Sequence, residues 1–216
     1  MDEIRSCRYD ESGLGWYRFG FSMGTIIKLA EPDRKGSLAL EQAIAVRRSR
    51  REFSAKQLTL EQIGQLVWAA QGQDAPRGYR TAPSAGATYP LELFVVMGDG
   101  LFHYLPGKHS LEKLKEQDLR GELALAAWGQ EFVEAAPLTL VFAAQFSRTT
   151  GRYGQRGIRY VYMEAGHAAQ NVHLQAEALG LGSVAVGAFD DDSVSKVLGL
   201  ASELEPIYMV VAGYCR

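Results

Sequence analysis

The stretch from about residue 159 to residue 179 constrains this chain more than any other. Val161, Ala165, Ala168, Val172, Ala176 and Leu179 recur there at helical spacing on one stripe, which is the pattern of one long helix with one apolar face. Gly180 or Gly182 is placed to stop it. A stripe that long must be covered by another layer of structure. Leu138–Gln145 is a continuous apolar run and reads as a buried strand. Ser183–Phe189 and Ile207–Gly213 read as two further strands, with a short helix starting at Asp191 between them.

Upstream, Leu91–Met97 reads as a strand. Gly98-Asp99-Gly100 should turn it into a hairpin with Leu101–Leu105, because Asp-Gly tolerates the positive φ of a tight turn. A helix is expected from Ser37, as N-cap, to Arg47, with Leu40, Ala43, Ile44 and Arg47 on one face. A second follows Thr59. Thr59 with Gln62 makes a capping box, Leu58 can staple onto Ile63, and Ile63, Leu66, Val67 and Ala70 share a face. Gly72 is placed to end that helix in a left-handed turn. Another helix is expected near Glu122–Trp128, and residues 148–158 read as a Gly/Arg/Tyr loop. Helices and strands alternate irregularly around an antiparallel hairpin, so the expected class is α+β. With 216 residues and no Pro/Gly/Ser-rich linker or repeat, the division is an N-terminal arm, 1–36, and one domain, 37–216. The arm carries Trp16, Tyr17, Phe19 and Phe21 and reads as a segment that packs on something larger.

Composition excludes several classes. A hydrophobic fraction of 47% is too high for a disordered chain, and no apolar run reaches the roughly 18 residues of a membrane span. A net charge of −2 argues against a nucleic-acid-binding field. The Met-Asp-Glu start has no secretory pattern, and Cys7 and Cys215 alone make no disulfide framework, so a reducing cytoplasm is expected.

Three segments are candidates for chemistry. The densest is Arg47-Arg48-Ser49-Arg50-Arg51. In an extended segment Arg47, Ser49 and Arg51 point the same way, and forked guanidinium donors with a hydroxyl suit a phosphate monoester. The alternative is a solvated basic helix end that complements the helix dipole. Pro83-Ser84-Ala85-Gly86-Ala87 is rich in small residues, which let backbone N–H groups approach a flat ligand or simply make a tight connection. Gly187 and Ala188 stand at the exit of a strand, where backbone amides can face a ligand carbonyl or ring nitrogen. The spacings of dinucleotide and nucleotide phosphate loops are absent. Glu164-x-x-His167 has the spacing of one half of a di-iron pair, but nothing supplies the other ligands, so no metal is expected. Glu164, His167, Gln170 and Asn171 read instead as buried polar groups bonding across a subunit interface. No catalytic triad or activated cysteine is legible.

These runs resemble the flavin-dependent nitroreductase family, in particular its SagB-type dehydrogenase branch. The resemblance spans about residues 38–213. It is carried by Arg47–Phe53, Trp68-Ala69-Ala70-Gln71-Gly72, Ala82–Glu92, Arg159-Tyr160, Glu164-Ala165-Gly166-His167-Ala168-Ala169-Gln170-Asn171 and Val186–Asp191. It implies a mixed, mainly antiparallel sheet flanked by helices, in an intertwined homodimer with FMN at the interface. By matching positions, Arg47, Arg48, Ser49 and Arg51 would bind the FMN phosphate, joined by Arg216. Pro83, Ser84, Ala85 and Gly86 would approach the flavin from the other subunit, and Gly187 and Ala188 would line the isoalloxazine edge with N–H groups. Flavin N5 would carry the chemistry, which accounts for the missing triad, and reduced flavin is stabilised by fixed amides or a cation near N1. NAD(P)H would be the hydride donor and a small electron-poor molecule the acceptor. A second implied role is oxidation of azoline rings in a ribosomal peptide, beside a peptide-modifying partner. Members with that role carry a Lys-Tyr pair where this chain has Arg159-Tyr160, and lysine can change protonation state where arginine cannot. A third is a flavin-binding protein without turnover. Neither nucleic acid nor membrane is an expected partner.

Overall fold

The computed structural model describes residues 24–73 and 77–216. Seven strands form one sheet: β1 (Ile26–Lys28), β2 (Leu91–Met97), β3 (Gly100–Leu105), β4 (Ser110–Lys115), β5 (Leu138–Ala144), β6 (Gly182–Val186) and β7 (Glu205–Gly213). Their order is β1-β4-β3-β2-β5-β7-β6, and every ladder is antiparallel. The parallel component expected of a mixed sheet is reduced, among the described residues, to an isolated bridge between Ser49 and Ser183. The helices are α1 (Leu40–Val46), α2 (Leu60–Gln71), α3 (Arg120–Ala126), α4 (Glu131–Ala135), α5 (Phe146–Tyr153), α6 (Arg156–Ala178) and α7 (Asp191–Leu198). The class is α+β, as expected.

The sheet is covered on both faces, which explains why β5 is apolar at every position rather than at every second one. Leu140, Phe142, Leu93, Val95 and Val210 join Leu66 and Val67 of α2 and Val161, Ala165, Ala168 and Val172 of α6 in one core. Their neighbours in the strands, Val141, Ala143, Phe94, Val96 and Val211, point the other way onto Leu123, Val133, Val194 and Leu198 of α3, α4 and α7. Alternate residues of the central strands thus serve two cores.

The long helix is present and somewhat longer than its stripe, and Gly180, with φ 69°, follows it. The Thr59–Gln62 capping box forms in both directions, and Leu58 packs on the core that holds Ile63. Asp190 caps α7 by accepting from the Ser193 N–H at 2.8 Å. Several expectations are corrected. Residues 148–158 are not a loop: they complete α5 and open α6. α1 begins at Leu40 with Ala39 as N-cap, not Ser37, and no side chain caps it. Of its expected face Ala43 is buried, while Leu40 and Ile44 are 60% and 56% exposed. Gly72 lies at φ −56°, not in the left-handed region; a Cβ there would stand 2.2 Å from Trp68 Cδ1, so close approach explains the glycine. β6 ends at Val186, before Gly187. The hairpin forms, but its positive φ falls on Gly100, which opens β3. Strands β1 and β4 and helix α4 were not expected. Of the expected arm, β1 is an edge strand paired with β4, and the aromatic patch 16–21 lies outside the described residues.

Candidate functional site

The arginine run lies where α1 stops. Arg47 is the C-cap, with φ −53° and ψ 125°, and the chain leaves it extended. Ser49 bridges to Ser183, and the Arg50 N–H donates to the Ser183 carbonyl at 3.0 Å. Phe53 then bridges Cys215, the Ser54 N–H donates to the Tyr214 carbonyl at 2.8 Å, and the Arg216 N–H to the Glu52 carbonyl at 3.1 Å. The segment therefore crosses the paired ends of β6 and β7, and this brings the Arg216 backbone to Glu52, next to Arg51. Glycine at 182 is what lets it lie so close: a Cβ there would meet Cys215 Sγ at 2.3 Å and Arg50 Cβ at 2.8 Å. Cys215 is a free, exposed thiol; Cys7 lies outside the described residues.

The side chains of this run have different employments. Arg48 folds back and donates through Nη1 to the carbonyls of Ala45 and Arg47, at 3.0 and 2.7 Å. It satisfies orphan carbonyls at the end of α1 instead of standing with the exposed cations. Arg51 lies over the Phe132 ring, 5.9 Å from its centroid. No ion pair among the described residues involves Arg47, Arg50, Arg51 or Arg216. Beneath them His173 is 7% exposed, its Nδ1 2.7 Å from Ser183 Oγ. Burial, aided by the Arg47 cation, pushes this imidazole down to about 4, so it is neutral at pH 7. Among the described residues the edge presents guanidinium groups with no ion-pair partner, Glu177 meeting it only at the Arg48 N–H, and this donor set fits a phosphate monoester.

The Pro83–Gly86 loop is built in the opposite manner. Gly86, Ala87 and Tyr89 have φ of 61°, 54° and 46°, a left-handed cluster that non-glycine residues adopt only when held. It is held. The Tyr89 N–H donates to Ser84 Oγ at 2.9 Å, and Thr88 Oγ1 donates to the Ala85 carbonyl and lies 2.8 Å from Thr149 Oγ1. Arg152 donates to the Gly86 carbonyl, and Arg148 to the Tyr89 carbonyl. Arg148 also pairs with Glu92 at 2.7 Å, and Glu92 with His103 at 2.9 Å. Burial pushes the Glu92 carboxyl up, but His103 and Arg148 outweigh it and hold the group below its ordinary range. Below the loop Arg80 donates to the Gln71 carbonyl at 3.1 Å and stacks over Tyr89. None of these cross-chain contacts was legible, because Arg80, Glu92, Arg148 and Arg152 carry no mutual spacing.

Gly187 and Ala188 are exposed just past β6. Gln130 Nε2 donates to the Ala188 carbonyl and the Ala127 carbonyl, both at 2.9 Å, and the Asp190 N–H to the Ala126 carbonyl at 2.9 Å. The strand exit is thus tied to the end of α3. Arg159 is exposed in the first turns of α6; Tyr160 is half-buried and meets Tyr153 edge-on at 5.2 Å. Glu164 and His167 part company, one buried and the other exposed, and Gln170 is exposed too, so only part of that expected buried set is buried within this chain.

One chain does not close these segments on one point. The loop meets α6 near Glu164 and the arginine edge meets it near His173 and Glu177. Nine residues of helix separate the nearer pair, roughly 14 Å. A cavity of about 740 Å³ opens between residues 33–43, α2 and α6, lined among others by Leu40, Gln65, Trp68 and Asn171; it holds none of the expected site residues. No helix among the described residues is long and apolar enough to cross a membrane.

A nitroreductase fold with a basic edge and a strained small-residue loop defines a class of oxidoreductase, and the family model for nitroreductases matches residues 44–214. The chain belongs to the nitroreductase family. The nitroreductase-like protein MJ1384 of Methanocaldococcus jannaschii is 44% identical over 182 residues, covering 82% of this chain and 91% of that protein. The crystal structure of a nitroreductase-like protein from Ralstonia eutropha superposes with a TM-score of 0.81 at 33% identity, covering 88% of this chain and 90% of that one. The microcin B17-processing protein McbC of Escherichia coli is 29% identical over 153 residues, 66% of this chain. The match spans 56% of McbC's length.

Proposed function

We propose that this protein is an FMN-dependent oxidoreductase that passes a hydride from NAD(P)H to a small electron-poor acceptor, as a homodimer with a flavin between two copies. The observation that carries it is the basic edge: the run Arg47–Arg51 crosses the ends of β6 and β7 with Ser49 bridging Ser183, the Arg216 N–H donates to the Glu52 carbonyl, and among the described residues Arg47, Arg51 and Arg216 form no ion pair. A phosphate monoester needs that set, and one such edge suffices for the single phosphate of FMN. Bound FMN would supply N5, which accepts a hydride from one substrate and gives it to the next. The chain's residues do the rest. Arg47, Ser49, Arg51 and Arg216 hold the phosphate, Gly187 and Ala188 offer backbone N–H groups to the ring edge, and the Pro83–Gly86 loop of the second copy covers the ring. One feature supports a second copy: Leu40, Ile44, Ile158, Tyr162 and Met163 leave apolar surface uncovered on α1 and α6.

The test is the visible spectrum of the purified protein, followed by anaerobic titration with NADH and then NADPH. A yellow dimer bleached by either supports the reading. A colourless monomer that ignores added FMN overturns it. The likeness to McbC, a microcin B17-processing protein, favours a second reading, oxidation of azoline rings in a peptide with oxygen as final acceptor. Oxygen uptake with an azoline peptide, without NAD(P)H consumption in the presence of nitroaromatics or quinones, selects it.

A further inference from the structure

Glu164 is a carboxylic acid where ionisation is costly. It stands on α6, 3% exposed, and its Oε1 has no hydrogen-bond partner. Seven residues along the same helix face, Asn171 Nδ2 donates to the Thr81 carbonyl at 3.4 Å. Glu164 and Asn171 therefore meet the two ends of the segment 81–84, which leads into the left-handed cluster at Gly86, Ala87 and Tyr89. Ser84 Oγ already accepts from the Tyr89 N–H. A serine hydroxyl has one proton to give; the turn Ala85–Ala87 packs on α6, and the Ser84 hydroxyl is the hydrogen-bonding group that acts on the Glu164 carboxyl.

We propose that Glu164 is a positioning residue for the flavin site: ionised, it accepts the Ser84 hydroxyl and so keeps the Pro83–Gly86 loop in the shape that covers the ring. The inference rests on the flavin reading above. With a protonated carboxyl, Ser84 loses its charged acceptor and the strained loop loses its tie to α6. The change falls near neutral pH, because burial pushes Glu164 up to about 7 while Ser84 and the Arg80 guanidinium pull the other way. Arg80 is the charged group acting on Glu164 among the described residues. Glu92 of β2 and the phenols of Tyr89 and Tyr104 act on Arg80.

The experiment measures FMN affinity of the wild type, Glu164→Gln, Ser84→Ala and the double variant by flavin fluorescence quenching at pH 6 and pH 8. The FMN phosphate titrates in this range in every variant, so the quantity read is the wild-type ratio divided by the variant ratio. Wild-type affinity should rise ~3-fold more between pH 6 and 8 than that of either variant, the change produced by half a unit of coupled pKa shift. The double variant should behave as the singles do. Hydrogen exchange of amides 84–89, read without flavin, should quicken in wild type at pH 6 relative to pH 8, beyond the intrinsic rate change, and not in Glu164→Gln. Equal pH ratios in all four proteins, with unchanged exchange, overturn the role of Glu164. Failure of the wild type to bind FMN at either pH overturns the flavin reading instead, and the exchange data still decide whether Glu164 holds the loop.

Discussion

The loop at 81–89 and the edge at 47–51 are both outside the sheet, and they are made in contrary ways. In the loop, carbonyls and hydroxyls are bonded at almost every residue, to α2, α5 and α6, and the backbone is forced into a left-handed shape. At the edge, backbone bonds fix the path, while among the described residues the guanidinium groups of Arg47, Arg50 and Arg51 form no ion pair. A region held by bonds from all sides offers shape; a region of uncompensated cations offers charge. Under the flavin reading proposed above, a flat ring with an anionic tail calls for one of each, the shaped loop for the ring and the charged edge for the tail.

Breaking the charged half should produce the largest effect. Arg47→Ala with Arg51→Ala removes two forked donors from the edge, and FMN affinity should fall at least 100-fold, about 3 kcal/mol. Arg51 forfeits its contact with the Phe132 ring, so the unfolding free energy from urea titration should fall by no more than about 1 kcal/mol. A double variant that keeps stoichiometric FMN after gel filtration places the phosphate elsewhere.

Each region also stands over one buried titratable group of α6, and the two are poised in opposite senses. His173, under the edge, is pushed down to about 4, and Glu164, under the loop, is pushed up to about 7. Native His173 binds fewer protons than the unfolded chain below pH 6.5, so its contribution is full above that and is lost as pH falls toward 4. Native Glu164 binds more protons than the unfolded chain above pH 4.5, so its contribution is full below that and is lost as pH rises through 7. Between pH 4.5 and 6.5 the two slopes oppose, and these groups should leave wild-type stability nearly flat. Glu164→Gln should uncover a stability that rises with pH across this window, and His173→Gln one that falls, each on the order of 2 kcal/mol. Urea titrations at half-unit pH steps check it; parallel curves for all three proteins would show that neither group is perturbed as described.

What the sequence disclosed follows how local each signal is. The α6 stripe, the Thr59–Gln62 box and the β5 run are patterns within a few turns or one strand, and all three were legible. β4 was missed because Ser110–Lys115 carries Lys and Glu along a half-covered strand, where neither clean alternation nor an apolar run appears. α5 was misread as a loop because it is rich in Gly, Arg and Thr; packing against α6 and the buried Thr149 hold it, not propensity. The arginine run was legible as a dense basic segment at the end of α1, but the bonding of Arg48 to the carbonyls of Ala45 and Arg47 depends on helix geometry that composition does not carry. The ties of Glu164 and Arg148 to the loop join residues about 60 to 80 positions apart and become visible only once the layers are assembled.

Gly86→Ala sharpens the other half of the comparison, at smaller cost. Gly86 has φ +61°, and an alanine held there loses about 1 kcal/mol against glycine. The added Cβ would stand 2.5 Å from the Tyr153 hydroxyl and 2.8 Å from Arg152 Nη1. Both are far ends of flexible side chains and can withdraw, so the backbone sets most of the penalty. The unfolding free energy from urea titration should drop by about 1 kcal/mol with an unchanged slope, because the loop is tied to three helices and cannot relax its φ without breaking those bonds. A loss under about 0.3 kcal/mol would mean that the loop gives way at little cost. Its shape would then be borrowed from whatever binds there, and the contrast with the arginine edge would disappear.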